Sequence, residues 1–356
     1  MSNNRYQVGF VDRDDEGLTK IYAKGVVTLK AAADLKAAAT DYQNFGTLLT
    51  PQFEREIKDI ARRRGVFGQL IEQQQTPAVG HPHRWYEQYV LPNTGGFTDP
   101  RNITPTAANN GSSLRTENAA NVRALTGQIN FGLFDQQTAA QTSIFPQLVA
   151  KDLKDMITAI YQAADLAYFT GAATSLTDGS SVQYCSLKTQ ITNTIQVNPG
   201  ASIIDAIRTK IATLMASQVV VVRPTHIFMN PLLVDILEQE IKNAVNTMKQ
   251  VPAGETEVVP GIIVPAIRTA AGIIPVIPAW EMATRVSSVQ GASTDYPLMI
   301  CSMDLMEQGW IGMPEIQIYK LGLVSDLADK YVAVIFNTGA IVKGASYAHS
   351  YGYVSR

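Results

Sequence analysis

The sequence predicts an α+β fold, not an alternating, doubly wound sheet. Three observations carry this. Strong helical periodicity is confined to the middle of the chain, between Ser143 and Met248. From Val258 onward the sequence breaks into short apolar runs cut by Pro and Gly. Near the front, a long polar stretch separates two runs that read as strands.

Composition narrows the class. The chain has 356 residues, enough for a sizeable core in one large domain or two ordinary ones. Charged residues make up 17% of it, against about 25% in average soluble domains. A surface poor in charge and rich in amides suits a protein held against neighbours, where desolvating charge is costly. Net charge is −2, so no basic excess points to nucleic-acid recognition. Cys185 and Cys301 give neither a disulfide framework nor a metal quartet. The opening MSNNRYQVGFVDRDDEG has no basic region followed by an apolar run, and no apolar stretch reaches membrane-spanning length. These features lead to the expectation of a soluble protein made in a reducing cytoplasm.

Residues 1 to about 50 are weakly periodic and read as an extended arm that needs a neighbour to order it, with a short helix at Ala31–Ala39. Within the arm, Asp12-Arg13-Asp14-Asp15-Glu16 reads as a solvated charge cluster. A helix is predicted from Thr50, with Pro51 in its first turn and Glu54, Glu56 and Asp59 near its start. Arg62-Arg63-Arg64 closes it before Gly65, as suits the dipole; the functional alternative for the cluster is a contact to a polyanion or to an acidic patch on a neighbour. His83–Val90 and Asn121–Phe134 read as strands around a loop rich in Asn, Thr, Gly and Pro. A loop that long is usually functional or disordered; if ordered between two strands, it is a hairpin reaching away from the body.

The strongest helix spans Ser143–Thr170. Val149, Leu153, Met156, Ile157, Ile160, Ala164 and Ala167 form its apolar stripe, Pro146 opens it and Gly171 stops it. About 25 residues give a rod roughly 38 Å long. A second amphipathic helix covers Ala201–Ser217. Then comes VVVVRPTHIFMNP: a valine strand, a break at Arg223-Pro224, a strand from His226 to Met229, and Asn230-Pro231 capping a helix over Leu232–Met248.

Chemistry is sparse. Gly339–Ser346 lacks the Lys-Ser/Thr ending of a phosphate loop, and no nucleophile elbow occurs. His81 and His83 lack a third ligand at metal spacing. His226 reads as a packed strand residue and His349 as a packed or solvated residue in a tyrosine-rich tail. No catalytic, cofactor-binding or metal residue is predicted.

The order of elements is the most informative feature. An arm, a short helix, a strand, a polar hairpin, a strand, a long helix ending in AADLAYFTG, a helix, VVVVRPTHIFMNP, a helix and Pro/Gly-cut strands closing on GAIVKG resemble the major capsid proteins of tailed bacteriophages, of the Hong Kong 97-type fold. The resemblance implies an N-terminal arm with a short helix at 1–75 and an extended loop with flanking strands at 76–134. It implies a peripheral domain with the spine helix at 135–194, an axial domain at 195–300, peripheral strands at 301–339 and a closing axial strand at 340–356. It implies a structural protein, not an enzyme, that self-assembles into hexamers and pentamers of an icosahedral head around double-stranded DNA. The partners implied are further copies of itself, a portal protein, separate scaffolding or decoration proteins, and DNA bound without sequence specificity. No membrane partner is implied. The location implied is the virion, with assembly in the bacterial host cytoplasm. The chain opens directly on the arm, so no cleaved scaffold segment is expected. Some relatives crosslink a loop lysine to a neighbour's asparagine; Leu91–Ala120 contains no lysine, so no such bond is expected. Two alternatives stay open at this level: an encapsulin-type compartment shell, and a cytosolic α+β enzyme using His226 or His349.

Overall fold

A computed structural model describes Val11–Arg13, Thr19–Ile21 and residues 64–78, 80–90, 101, 114–134, 137, 148–217, 222–243, 252–259, 262–324 and 328–356. Contacts divide the chain into two units, one comprising Met1–Ala61 with Ala139–Pro146 and the other Arg62–Thr138 with Gln147–Arg356. In the first, β1 (Val11–Arg13) pairs antiparallel with β2 (Thr19–Ile21). The helix expected at Ala31–Ala39, and the one expected from Thr50 to Arg64 as far as residue 63, lie outside the described residues. Everything below concerns the second unit.

Helix α1 (Val66–Glu72) begins immediately after Gly65, its N-cap. Gly65 is extended, and Phe67, Leu70 and Ile71 form the buried side of the helix beyond it. The Arg64 guanidinium forks onto the Glu72 carboxylate at 2.9 and 2.6 Å and lies over the Tyr161 ring.

A six-stranded sheet centres on β16 (Ala328–Asn337). It pairs antiparallel with β15 (Gln317–Val324) on one side and with β6 (Arg123–Gly132) on the other. β14 (Met306–Trp310) joins through Trp310 and Asn337, and itself carries β3 (Gln75–Pro77) and β17 (Ile341–Val342). Helix α2 (Leu148–Thr170) crosses one face. Its Met156 and Ile160 pack with Ala333 and Ile335 of β16, as the stripe on the long helix predicted. The described helix has 23 residues, a rod of about 34 Å.

The eight-stranded sheet runs β7–β18–β13–β8–β11–β10–β9, with β12 beside β13. These are β7 (Thr194–Val197), β8 (His226–Met229), β9 (Pro252–Val259), β10 (Ile262–Thr269), β11 (Gly272–Pro278), β12 (Arg285–Val286), β13 (Thr294–Cys301) and β18 (Ser350–Ser355). Its central strands are buried on both faces, which explains their unbroken apolar runs. Ile227 and Met229 of β8 pack with Ile203, Ile207 and Ile211 of α4 (Ile203–Met215) and Leu233 of α5 (Pro231–Asn243). On the opposite face, Phe228, Ile277, Met299 and Cys301 pack with Phe67 of α1 and with Tyr168 and Phe169 of α2. Phe67 is the shared centre, edge-on to Tyr168, Phe169 and Phe228 at 5.2–5.6 Å between ring centroids. One more short helix, α3 (Leu187–Gln190), precedes β7.

Local capping chemistry follows the sequence. The Asn230 side chain accepts from the Leu232 amide at 2.9 Å, and Pro231 opens α5. Ser202 caps α4, and the Glu240 carboxylate of α5 accepts from the Ser202 hydroxyl at 2.6 Å and from the Ile203 amide.

The valine strand lies outside the described residues apart from Val222, which is buried and outside any strand. Two expectations change. The partner of β4 (His83–Val90) is β5 (Leu114–Ala120), inside the stretch read as loop; β6 pairs with β16 instead. GAIVKG contributes β17 to the six-stranded sheet, so Ser350–Ser355, not Ile341–Val342, enters the larger sheet.

Candidate functional site

The residues with chemical potential are held in structural roles. His349 is fully buried: the Ser302 amide donates to its Nδ1 at 3.4 Å, and its Nε2 contacts the Lys343 carbonyl at 3.0 Å. A carbonyl only accepts, so the proton sits on Nε2 and the ring is neutral. Burial lowers its pKa to about 4. His226 is half-buried, stacks on Phe228, and has Nδ1 2.8 Å from the Thr225 hydroxyl. Burial lowers its pKa too, and Asp304 partly opposes that.

Cys301 is the register partner of His226, a proximity the sequence did not disclose. The pair is not a thiolate–imidazole couple. The Cys301 thiol is fully buried, donates to the His226 backbone carbonyl at 3.7 Å, and is pushed far up in pKa by burial. Cys185 is likewise a buried free thiol, raised to about 11. A catalytic cysteine needs the opposite environment.

His81 and His83 diverge. His81 Nδ1 accepts from the Val122 amide at 3.1 Å, whereas His83 is buried with Nε2 3.2 Å from Glu307 Oε1. Among the described residues, no group of three or more His, Cys, Asp or Glu could hold a metal ion. No described helix is long and apolar enough to cross a membrane.

What stands out is a hairpin and its root. β4 and β5 form a two-stranded sheet that pairs with no other strand among the described residues. Arg84 bridges across it to Glu117 at 2.9 Å, and Arg115 to Gln88 at 3.2 Å. Tyr86 and Leu114 stand exposed on it, at 69% and 60%. The other side of β4 is the period-two row His83, Trp85, Glu87 and Tyr89, turned to the body. His83 stacks on Trp85, which packs with Ala120 and Ile341. Glu307 meets both His83 and Lys343, whose ammonium lies 2.6 Å from its Oε2. Glu87 accepts from the Trp85 indole at 2.8 Å, the Gly344 amide at 3.2 Å and the Tyr89 hydroxyl. Tyr89 also lies against Tyr347.

Two further surfaces are open. A groove of about 420 Å³ runs between α2 and β6, lined by Leu125, Ile129, Met156 and Ile160 together with Asp152 and Asp155. On the sheet face opposite α2, Tyr319, Leu321 and Phe336 are exposed. Sequence reasoning missed Glu87, Glu307 and Lys343. The signal available was the alternation of His, Trp, Glu and Tyr at every second position of β4.

No protein-family model matches this chain, and no curated protein does. Solved structures do. A structure of Gordonia phage Cozz matches over 94% of this chain and 96% of its own, with a TM-score of 0.57 at 13% identity. The capsid of a native GTA particle matches over 92% of this chain and all of its own, with a TM-score of 0.56 at 12% identity. The capsid of Myoviridae phage XM1 matches over 87% and 99%, with a TM-score of 0.55 at 12% identity. Most of the chain is superposable in each case: this mixed α+β protein has the fold of bacteriophage capsid proteins.

Proposed function

We propose that this chain is the major capsid protein of a tailed bacteriophage, with no catalytic function of its own. It would assemble into hexamers and pentamers of an icosahedral head that encloses double-stranded DNA. The observation that carries this reading is a capsid fold matched over 92% of the chain, joined to a β4–β5 hairpin whose two outer strand edges pair with no other strand among the described residues and whose Tyr86 and Leu114 stand exposed. An isolated two-stranded sheet is marginal in water, so a neighbouring subunit is the natural cover.

In this reading α2 is the spine helix, and the six-stranded sheet belongs to the peripheral domain. The eight-stranded sheet with α4 and α5 is the axial domain, residues 1–75 are the arm, and β4–β5 is the extended loop. Portal, scaffolding and decoration proteins would be its partners, and the virion its location after assembly in the host cytoplasm. Net charge of −2 favours a wall that contains DNA over one that condenses it.

Multi-angle light scattering and negative-stain microscopy of the purified chain under assembly conditions test the reading. Closed particles tens of nanometres across are expected. A persistent monomer or dimer would refute it.

A further inference from the structure

We propose that Glu87 is the positioning residue that sets the direction in which the β4–β5 hairpin leaves the body, through the contact of its carboxylate with the backbone of Gly344. The consequence for assembly rests on the capsid reading above; the positioning role does not.

The geometry concentrates on this one side chain. Glu87 sits near the middle of β4, between residues that lie against the body and the end that carries the hairpin outward. Its carboxylate receives three donors of different origin. Two come from its own strand, the indole N–H of Trp85 and the hydroxyl of Tyr89. The third, the Gly344 amide, belongs to a turn 257 residues further along the chain. The two local donors orient the carboxylate, and the distant one converts that orientation into an angle between hairpin and body. A carboxylate offers about four lone-pair sites, so three donors nearly saturate it and define its position.

The turn that receives Glu87 is itself immobilised. Gly344 has φ of +65°, a left-handed conformation suited to glycine, and its carbonyl accepts from the Tyr347 and Ala348 amides. Lys343 is held by its side chain on Glu307, by its amide on the Leu305 carbonyl, and by its carbonyl at the His349 ring. Glu87 therefore pulls against a fixed point. The apolar contacts at the root do not supply the same constraint. Trp85 packs with Ala120 and Ile341 below Glu87, and van der Waals contact is non-directional. Tyr89 on Tyr347 is a tilted ring contact that tolerates rocking. The His83–Glu307 contact and the Asn121 bonds to Leu176 and Thr177 fix the base of the hairpin, and the charge-assisted bonds at Glu87 add the directional constraint farther along β4.

The test places spin labels on the full chain at Arg115→Cys, on the exposed side of β5, and at Val286→Cys, 86% exposed on β12. Both native cysteines are buried, so labelling is confined to the introduced thiols. Pulsed electron spin resonance of the otherwise native protein should give one narrow distance distribution. Glu87→Ala should broaden it or add a second resolved population, and Glu87→Gln, which keeps an acceptor oxygen, should fall between. A distribution in Glu87→Ala that superimposes on the native one overturns the proposal. Should Glu87→Ala fail to fold, Glu87→Gln and Tyr89→Phe decide by the same comparison. In the assembly arm, native chain should give uniform particles and Glu87→Ala a mixture of sizes or open sheets. Uniform native-size particles from a variant whose hairpin has moved would overturn the assembly consequence. A native chain that forms no particles would sink the capsid reading, while the distance measurement would still decide the role of Glu87.

Discussion

One carboxylate oxygen of Asp165, on α2, lies 2.8 Å from the backbone nitrogen of Gly65, one hundred residues earlier and at the start of α1. Asp165 is 1% exposed, and its other oxygen has no hydrogen-bond partner. The contact ties the start of α1 to α2. It does so at a cost, because a buried carboxylate with one unsatisfied oxygen resists ionisation.

That cost is readable as pH dependence. Burial raises the Asp165 pKa to about 6, against opposition from the Gly65 amide and Arg64. A folded-state value above the unfolded one means the native protein binds the proton more tightly. The stabilisation is complete below the unfolded pKa and is lost as pH rises through about 6. The loss amounts to at most about 3 kcal/mol. Asp165→Asn keeps an acceptor for Gly65 and removes the titration. Its unfolding free energy, measured by urea titration, should therefore decline less than that of the native chain between pH 4.5 and 7.5.

His349 pulls the other way. Its pKa is lowered to about 4, so the native state refuses a proton that the unfolded chain accepts. Its contribution is present above about pH 6.5 and is lost as pH falls toward 4, again by at most about 3 kcal/mol. The two effects oppose each other across the same window. Asp165→Asn should uncover the acid loss due to His349, and adding His349→Gln should flatten the profile further. A profile unchanged by either substitution would contradict both assignments.

Gly68 is dictated by Asp165. A Cβ on Gly68 would lie 1.8 Å from Asp165 Oδ1, too close for either group to remain in place. Gly68→Ala improves helix propensity yet should destabilise the protein by about 1–3 kcal/mol through overpacking. In an Asp165→Ala background the same substitution should cost less, a coupling that a double-mutant cycle measures directly.

The absence of a lysine in Leu91–Ala120 gives a covalent prediction. Purified particles boiled in detergent should run as a single band at 38.7 kDa. A ladder of multiples would show a crosslink formed by other residues.

Much of this architecture was legible in the sequence, for physical reasons that particular residues illustrate. The three-and-four spacing of Met156 and Ile160 announces α2 because one helix face must be apolar to pack on β16. Asn230-Pro231 announces α5 because capping chemistry is local. β5 was hidden because Leu114–Glu117 are exposed, so no apolar alternation marks them; only pairing with β4 makes them a strand. β14 was hidden for the converse reason: Glu307 and Gln308 are buried polar residues with partners distant in sequence, His83, Lys343 and Tyr168. The hairpin root escaped notice for the same reason as β14, since Glu87 gains its meaning from Gly344.

The most direct test of a shell subunit locked by its hairpin is an electron cryomicroscopy map of the assembled particle at side-chain resolution. The account predicts a closed icosahedral shell in which Tyr86 and Leu114 are covered by a neighbouring subunit. A map showing both residues bare, or covered only by their own chain, would contradict it.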